Sequence, residues 1–189
     1  MLSVCSFFSL AILASGTVDY LSLARKTSRF LDENLRGVLP NGTFGGFVNS
    51  TSQRSWSFCW ANFALLSADS AMILLLEKNN ALNPEIAHHL ARMQNVVAWN
   101  RKYLWDTTLN NGGFYSAALS DNPAVREHTM KYVDDLSYAG IAMLQCFHSL
   151  RTTRQQNHSL ARRCLQFAAE CGDWLLQTND TSIWAPGGG

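Results

Sequence analysis

The chain has 189 residues, enough for one domain with a sizeable core. Hydrophobic residues make up 47% and charged residues 15%, which excludes intrinsic disorder. Fifteen Lys and Arg against fourteen Asp and Glu leave a formal charge of +1, and no basic run is long enough to follow a phosphate backbone, so nucleic acid is excluded as the expected partner.

Residues 1–16 are uncharged and contain one apolar run, too short for a bilayer span but suited to the core of an export signal. Small residues at Ala14, Ser15 and Gly16 stand where cleavage is expected. The start lacks Lys or Arg, which leaves an uncleaved anchor or a buried first helix as alternatives; no other membrane span is expected. The remainder, 17–189, is read as one domain. Four acceptor triplets for N-glycosylation, at Asn41, Asn49, Asn157 and Asn179, fall in expected loops or helix ends and point the same way, to an extracellular or secretory location. Beyond the signal, Cys59, Cys146, Cys164 and Cys171 remain. Their even number suits disulfides, and their apolar surroundings suit buried thiols equally; the pairing stays open.

The 3.6-residue pattern predicts five helices, over about 17–36, 57–79, 84–106, 130–151 and 158–177, and no strand. The second is apolar nearly all round, from Phe58 and Trp60 to Leu76, whereas the third carries His88, His89, Arg92 and Lys102 and reads as half exposed, with both histidines solvated. The fourth and fifth repeat this alternation. Glycine-bearing loops recur at Gly45-Gly46-Phe47, Gly112-Gly113-Phe114 and Gly187-Gly188-Gly189. A buried helix, an exposed helix and a glycine loop, repeated, describe stacked helical hairpins with the loops on one rim. About two and a half repeats are present, as expected of roughly half of a closed ring.

Asp134 and Asp135 open the fourth helix. Adjacent carboxyls diverge by about 100° around a helix yet stay close enough that ionising one raises the pKa of the other, the asymmetry that acid/base cleavage of a glycosidic bond needs. Asp134 falls opposite the stripe of Val133, Leu136, Gly140, Met143 and Phe147 and is expected to point away from the core. The plainer alternative is that the pair complements the positive end of the helix. Tyr115, Tyr138, Trp60 and Trp184 are candidate platforms for sugar rings. Burial is the stronger expectation for Trp60, whereas Tyr115 and Trp184 adjoin glycine loops. His128 and His158 have no companions at metal-ligand spacing, so neither metal nor cofactor is expected.

The string Trp105-Asp106, then Asn111-Gly112-Gly113-Phe114-Tyr115, then Lys131-Tyr132-Val133-Asp134-Asp135-Leu136-Ser137-Tyr138-Ala139, resembles the six-hairpin, (α/α)6-toroid glycosidase superfamily. Asp134-Asp135 followed by Tyr138, an Ala/Leu-rich helix and Trp184 is similar to glycoside hydrolase family 76, the endo-α-1,6-mannanases, although that family usually has two Trp where Tyr138-Ala139 stand here. Trp60-Ala61-Asn62 with Leu66 and Asp69 is similar to an inner helix of such enzymes. The resemblance implies an all-α partial toroid and a secreted hydrolase of α-linked mannan or a similar poly- or oligosaccharide, with Asp134 and Asp135 catalytic. The N-acylglucosamine 2-epimerases share the repeat and imply an isomerase, although their proton chemistry belongs to histidines and only His148 lies on an inner helix here. An inactive carbohydrate-binding or interaction protein on the same hairpins is the third alternative.

Overall fold

The computed structural model describes residues 19–48, 55–78, 83–107, 112–126, 131–154 and 157–178. The export-signal segment, the acceptor triplets at Asn49 and Asn179, His128, Trp184 and the last glycine run lie outside them. The chain divides into two compact units, 1–33 and 34–189. Helix α1 (Tyr20–Asn34) makes up nearly all of the described part of the first, its last residue falling in the second. Asp19 caps it, its carboxylate accepting the Ser22 amide at 3.0 Å, as helix N-termini favour.

The second unit holds β1 (Arg36–Val38), β2 (Phe44–Phe47), β3 (Trp56–Phe58), α2 (Cys59–Lys78), α3 (Asn83–Trp99), a π-turn (Asn100–Leu104), β4 (Ala117–Leu119), α4 (Val133–Thr152) and α5 (His158–Thr178). The expected helices are present within a few residues of their bounds. The expectation of no strand is corrected by two short antiparallel pairs, β1 with β2 and β3 with β4. They escape the alternation rule because they have three or four residues and β2 and β4 are buried throughout, so no polar face marks them.

Helix α2 packs against α3 on one side and α4 on another, and α4 packs against α5. Helices α2 and α4 run parallel. At their starts the Cys59 amide donates to the Ser116 carbonyl at 2.7 Å and Ser116 hydrogen-bonds Asp135; at their far ends the Arg154 amide donates to the Glu77 carboxylate at 2.8 Å. Parallel inner helices, each followed by an antiparallel outer one, are two hairpins side by side. Helix α2 is long and apolar enough to cross a membrane by length and composition, yet Phe63, Leu66, Ile73 and Leu76 are fully enclosed, as befits a core helix.

The outer helices meet through the π-turn. There Trp105 donates its amide to the Asn100 carbonyl at 2.9 Å, one residue further along than an α-helical bond. The bulge carries Arg101 over the rings of Trp105 and Phe167, at 4.6 and 4.3 Å, and into an ion pair with Glu170 of α5.

Candidate functional site

The starts of α2 and α4 share one rim with the β-pairs, because β3 runs directly into α2 and pairs with β4. Both described glycine loops come to this end. Gly46 has φ +81° and a side chain there would collide with Ser57, while Gly113 has φ +80° and a Cβ would lie 3.0 Å from the Trp174 ring of α5. Only glycine meets both demands, a left-handed backbone and no side chain. Asn62, one turn into α2, ties the rim together: its amide oxygen accepts the Phe47 N–H at 3.0 Å, and its amide nitrogen donates to Ser57 Oγ and to the Phe58 carbonyl, each at 2.8 Å.

Helix α4 begins after an extended Tyr132 with no side-chain cap. Asp134 and Asp135 therefore sit in its first turn, where the helix dipole favours negative charge. Their environments differ. Asp134 is exposed, as expected, and its Oδ1 accepts the Asp135 amide at 2.9 Å. Asp135 turns inward, is only 8% exposed, and lies beside Ser116 and near Cys59. Burial, then the neighbouring Asp134 charge, raise its pKa to about 6, against the lowering effect of the Ser116 hydrogen bond. Burial first, and Asp135 next, push the Cys59 thiol upward as well, so it is no thiolate nucleophile.

A second cluster lies one residue along the chain from Ser116. Lys131 Nζ donates to Asp106 Oδ2 at 2.6 Å and to the Gly112 carbonyl. Tyr115 hydrogen-bonds Asp106 and Arg126, and the Arg126 guanidinium sits 4.1 Å from its ring centroid. Burial and Asp106 raise the phenol pKa, with Arg126 opposing. The expectation that Tyr115 offers its face to a sugar is corrected, since the ring is buried and a guanidinium covers it. Asp106, Lys131, Arg126 and Ser116 were not singled out for chemistry from the sequence. The signal available was the Trp-Asp string before the glycine loop and the Lys that precedes Tyr132.

Trp60 corrects the expectation of burial in the opposite sense. It is 49% exposed, because it lies on the face of α2 that continues through Ala68, Ala71, Leu74 and Leu75 and is exposed along the helix, while Cys59, Asn62 and Phe63 of the same turn are buried. Phe58 lies beside it, with ring centroids 6.3 Å apart. Tyr138, one turn on from Asp134, is half-buried. The rim thus brings Asp134, Asp135, Trp60 and Tyr138 to the starts of two adjacent inner helices, while Trp184 lies outside the described residues.

The histidines lie elsewhere. His88 is exposed, but His89 is 2% exposed, correcting the solvated reading. Its Nδ1 is 2.8 Å from Asp69 Oδ1, and Arg92 donates from Nε to Asp69 Oδ2 at 2.8 Å. This buried trio joins α2 to α3. His148 is exposed in the second half of α4, and His158 opens α5 beside a groove lined by Phe147, Arg151, Arg162 and Leu165, at the end opposite the rim. Among the described residues no three His, Cys, Asp or Glu side chains converge as metal ligands.

No protein-family model and no curated protein matches the chain. Among solved structures it is similar to the cellobiose 2-epimerase of Spirochaeta thermophila DSM 6192, with a TM-score of 0.53 and 16% sequence identity over 87% of this chain. The match spans only 38% of that epimerase. At this identity the likeness concerns the fold, and it agrees with the paired hairpins described above: the chain is mostly α and has the architecture of part of an (α/α)6 toroid.

Proposed function

We propose that this chain is part of a carbohydrate-acting enzyme whose saccharide site is the rim at the starts of α2 and α4, with Asp135 as proton donor. One observation carries the reading: Asp135 is a buried carboxyl with no cation beside it among the described residues, raised to about 6, next to an exposed carboxylate. A carboxyl poised there still holds its proton in a useful fraction near neutral pH, as general-acid catalysis requires. Trp60, exposed in the neighbouring first turn, supplies a flat apolar face for a sugar ring.

The shared fold with cellobiose 2-epimerase supports epimerisation ahead of hydrolysis. Inversion at C2 of a reducing sugar needs ring opening, removal of the C2 proton and its return on the other face, and Asp135 suits the proton donation that opens the ring. Among the described residues the histidines stand away from the rim, and the group suited to act as base in this reading is Asp134, the exposed carboxylate beside Asp135. The Asp pair itself favours a second reading, hydrolysis of α-linked mannan or a similar glycan, in which Asp135 protonates the departing oxygen and Asp134 attacks or activates water.

The test is to incubate the purified protein with cellobiose, N-acetylglucosamine and α-1,6-linked mannan and to follow anomeric signals by proton NMR. A C2 epimer without new reducing ends, lost in Asp135→Asn, is the expected result. New reducing ends select the hydrolase. Binding without turnover selects a carbohydrate-binding protein, and neither binding nor turnover overturns the reading.

Export through the secretory pathway belongs to the same proposal. Asn41 supports it, exposed in a tight turn where Thr43 Oγ1 donates to Asn41 Oδ1 at 2.6 Å. Loss of mass on treatment with a peptide N-glycosidase after expression in a eukaryotic host is expected; an unchanged mass counts against it.

A further inference from the structure

We propose that Cys146 and Cys164 are the partners of a disulfide that staples α4 to α5. This goes beyond the carbohydrate reading and does not rest on it. Cys59, Cys146, Cys164 and Cys171 are all fully buried, but they are not equally placed. The Sγ atoms of Cys146 and Cys164 are 3.0 Å apart, the Cys164 thiol donating to Cys146, and among the described residues no other two thiols touch. A disulfide has an S–S length of about 2.0 Å, so closing the gap asks for about 1 Å, divided between two side chains.

The backbone permits that approach because the second hairpin is tightly closed. Gly140 faces Cys171, where a side chain on the glycine would bring its Cβ within 3.6 Å of the cysteine Cβ. Toward the connecting turn, Leu150 and Leu160 are buried. Cys146 and Cys164 fall between these two points on facing positions of antiparallel helices, so the register that packs the hairpin also brings their sulfurs together.

The environment determines when the bond forms. The Cys164 hydrogen bond first, and then burial, hold the Cys146 thiol far above its ordinary pKa, and a thiol that does not ionise does not attack a disulfide. Oxidation therefore belongs to folding, before the core closes. A low-molecular-weight or protein disulfide serves as oxidant. One cysteine thiolate attacks it, releasing one thiol and forming a mixed disulfide; the second cysteine, losing its proton, displaces the other thiol. Two thiols of the chain are thereby oxidised to one disulfide, and the oxidant is reduced to two thiols. Once buried, the bond is shielded from reductants.

The experiment refolds the full chain with reduced and oxidised glutathione, alkylates free thiols in denaturant without reductant, and maps the peptides by mass spectrometry. Cleavage after Arg163 and after Glu170 isolates Cys164 from Cys171. Cys146 linked to Cys164, with Cys59 and Cys171 alkylated, is expected. Alkylation of all four, or Cys146 linked to another cysteine, overturns the proposal. As an independent readout, a reductant added during unfolding is expected to lower Tm by about 5–10 °C in the wild type and to leave the Cys146→Ala/Cys164→Ala variant unmoved. An equal response in both contradicts the proposal, and the peptide map decides on wild-type protein alone if the double variant does not fold.

Discussion

The two inner helices each bury a carboxylate, and the molecule treats the two differently. Asp69, halfway along α2, is wholly enclosed and receives Arg92 and His89 from α3. Asp135, at the start of α4, is nearly as buried but has Ser116 and Cys59 beside it and no cation among the described residues, with a second carboxylate one residue away. A buried charge that is paired and hydrogen-bonded is a structural clamp; one left without a counter-charge shifts its pKa instead. The contrast separates a residue that holds two helices together from one whose proton is available for chemistry.

The largest expected effect comes from removing the clamp. Asp69→Ala leaves the Arg92 guanidinium buried without its partner, and a loss of about 3–5 kcal/mol is expected, read as a lower urea midpoint; a variant within 1 kcal/mol of wild type would erase the distinction. Asp135→Asn should act in the opposite direction. Because the folded pKa of Asp135 is raised, its protonated form favours folding. That contribution is complete below the unfolded value near 4 and is lost as pH rises through about 6. The wild type should therefore lose up to about 3 kcal/mol between those limits from this group, partly screened by water at the rim, while Asp135→Asn should be flatter across the same window and more stable at pH 8. Thermal melts at half-unit pH steps check this.

Smaller effects sharpen the picture of the rim. Gly113→Ala places a side chain at φ +80° against Trp174 and should cost about 1–2 kcal/mol, with Tm as the readout. Trp60→Ala, at an exposed first turn, should change stability by less than about 0.5 kcal/mol while weakening saccharide binding; unchanged affinity by calorimetry removes Trp60 from the site.

The sequence carried the helices well because each follows a sustained 3.6-residue pattern, and it placed Asp134 outward, opposite a stripe in which Leu136 and Met143 are buried whereas Val133, at its start, is exposed. It did not carry the strands, whose runs of three or four residues are too short for alternation to register. It also misread α3: His89, Arg92 and Val96 share one helical face, and the polar members of that face turn inward to meet Asp69 rather than out to water. A lone Asp in the apolar run of α2 was the available hint, since a buried carboxylate demands a partner. Trp60 and Tyr115 exchanged their expected environments for a related reason. Which side chain projects from a rim depends on where a neighbouring chain segment crosses, and that information belongs to contacts between residues far apart in sequence, such as Cys59 with Ser116.

The most direct test of the central claim is the titration of the Asp135 side-chain carboxyl by carbon-13 NMR, assigned with Asp135→Asn, alone and with cellobiose or a short α-1,6-linked mannan present. The account predicts a midpoint at about 6 and a shift of the same resonance when a saccharide binds. A midpoint in the ordinary carboxylate range near 4, unmoved by any of these sugars, would contradict it.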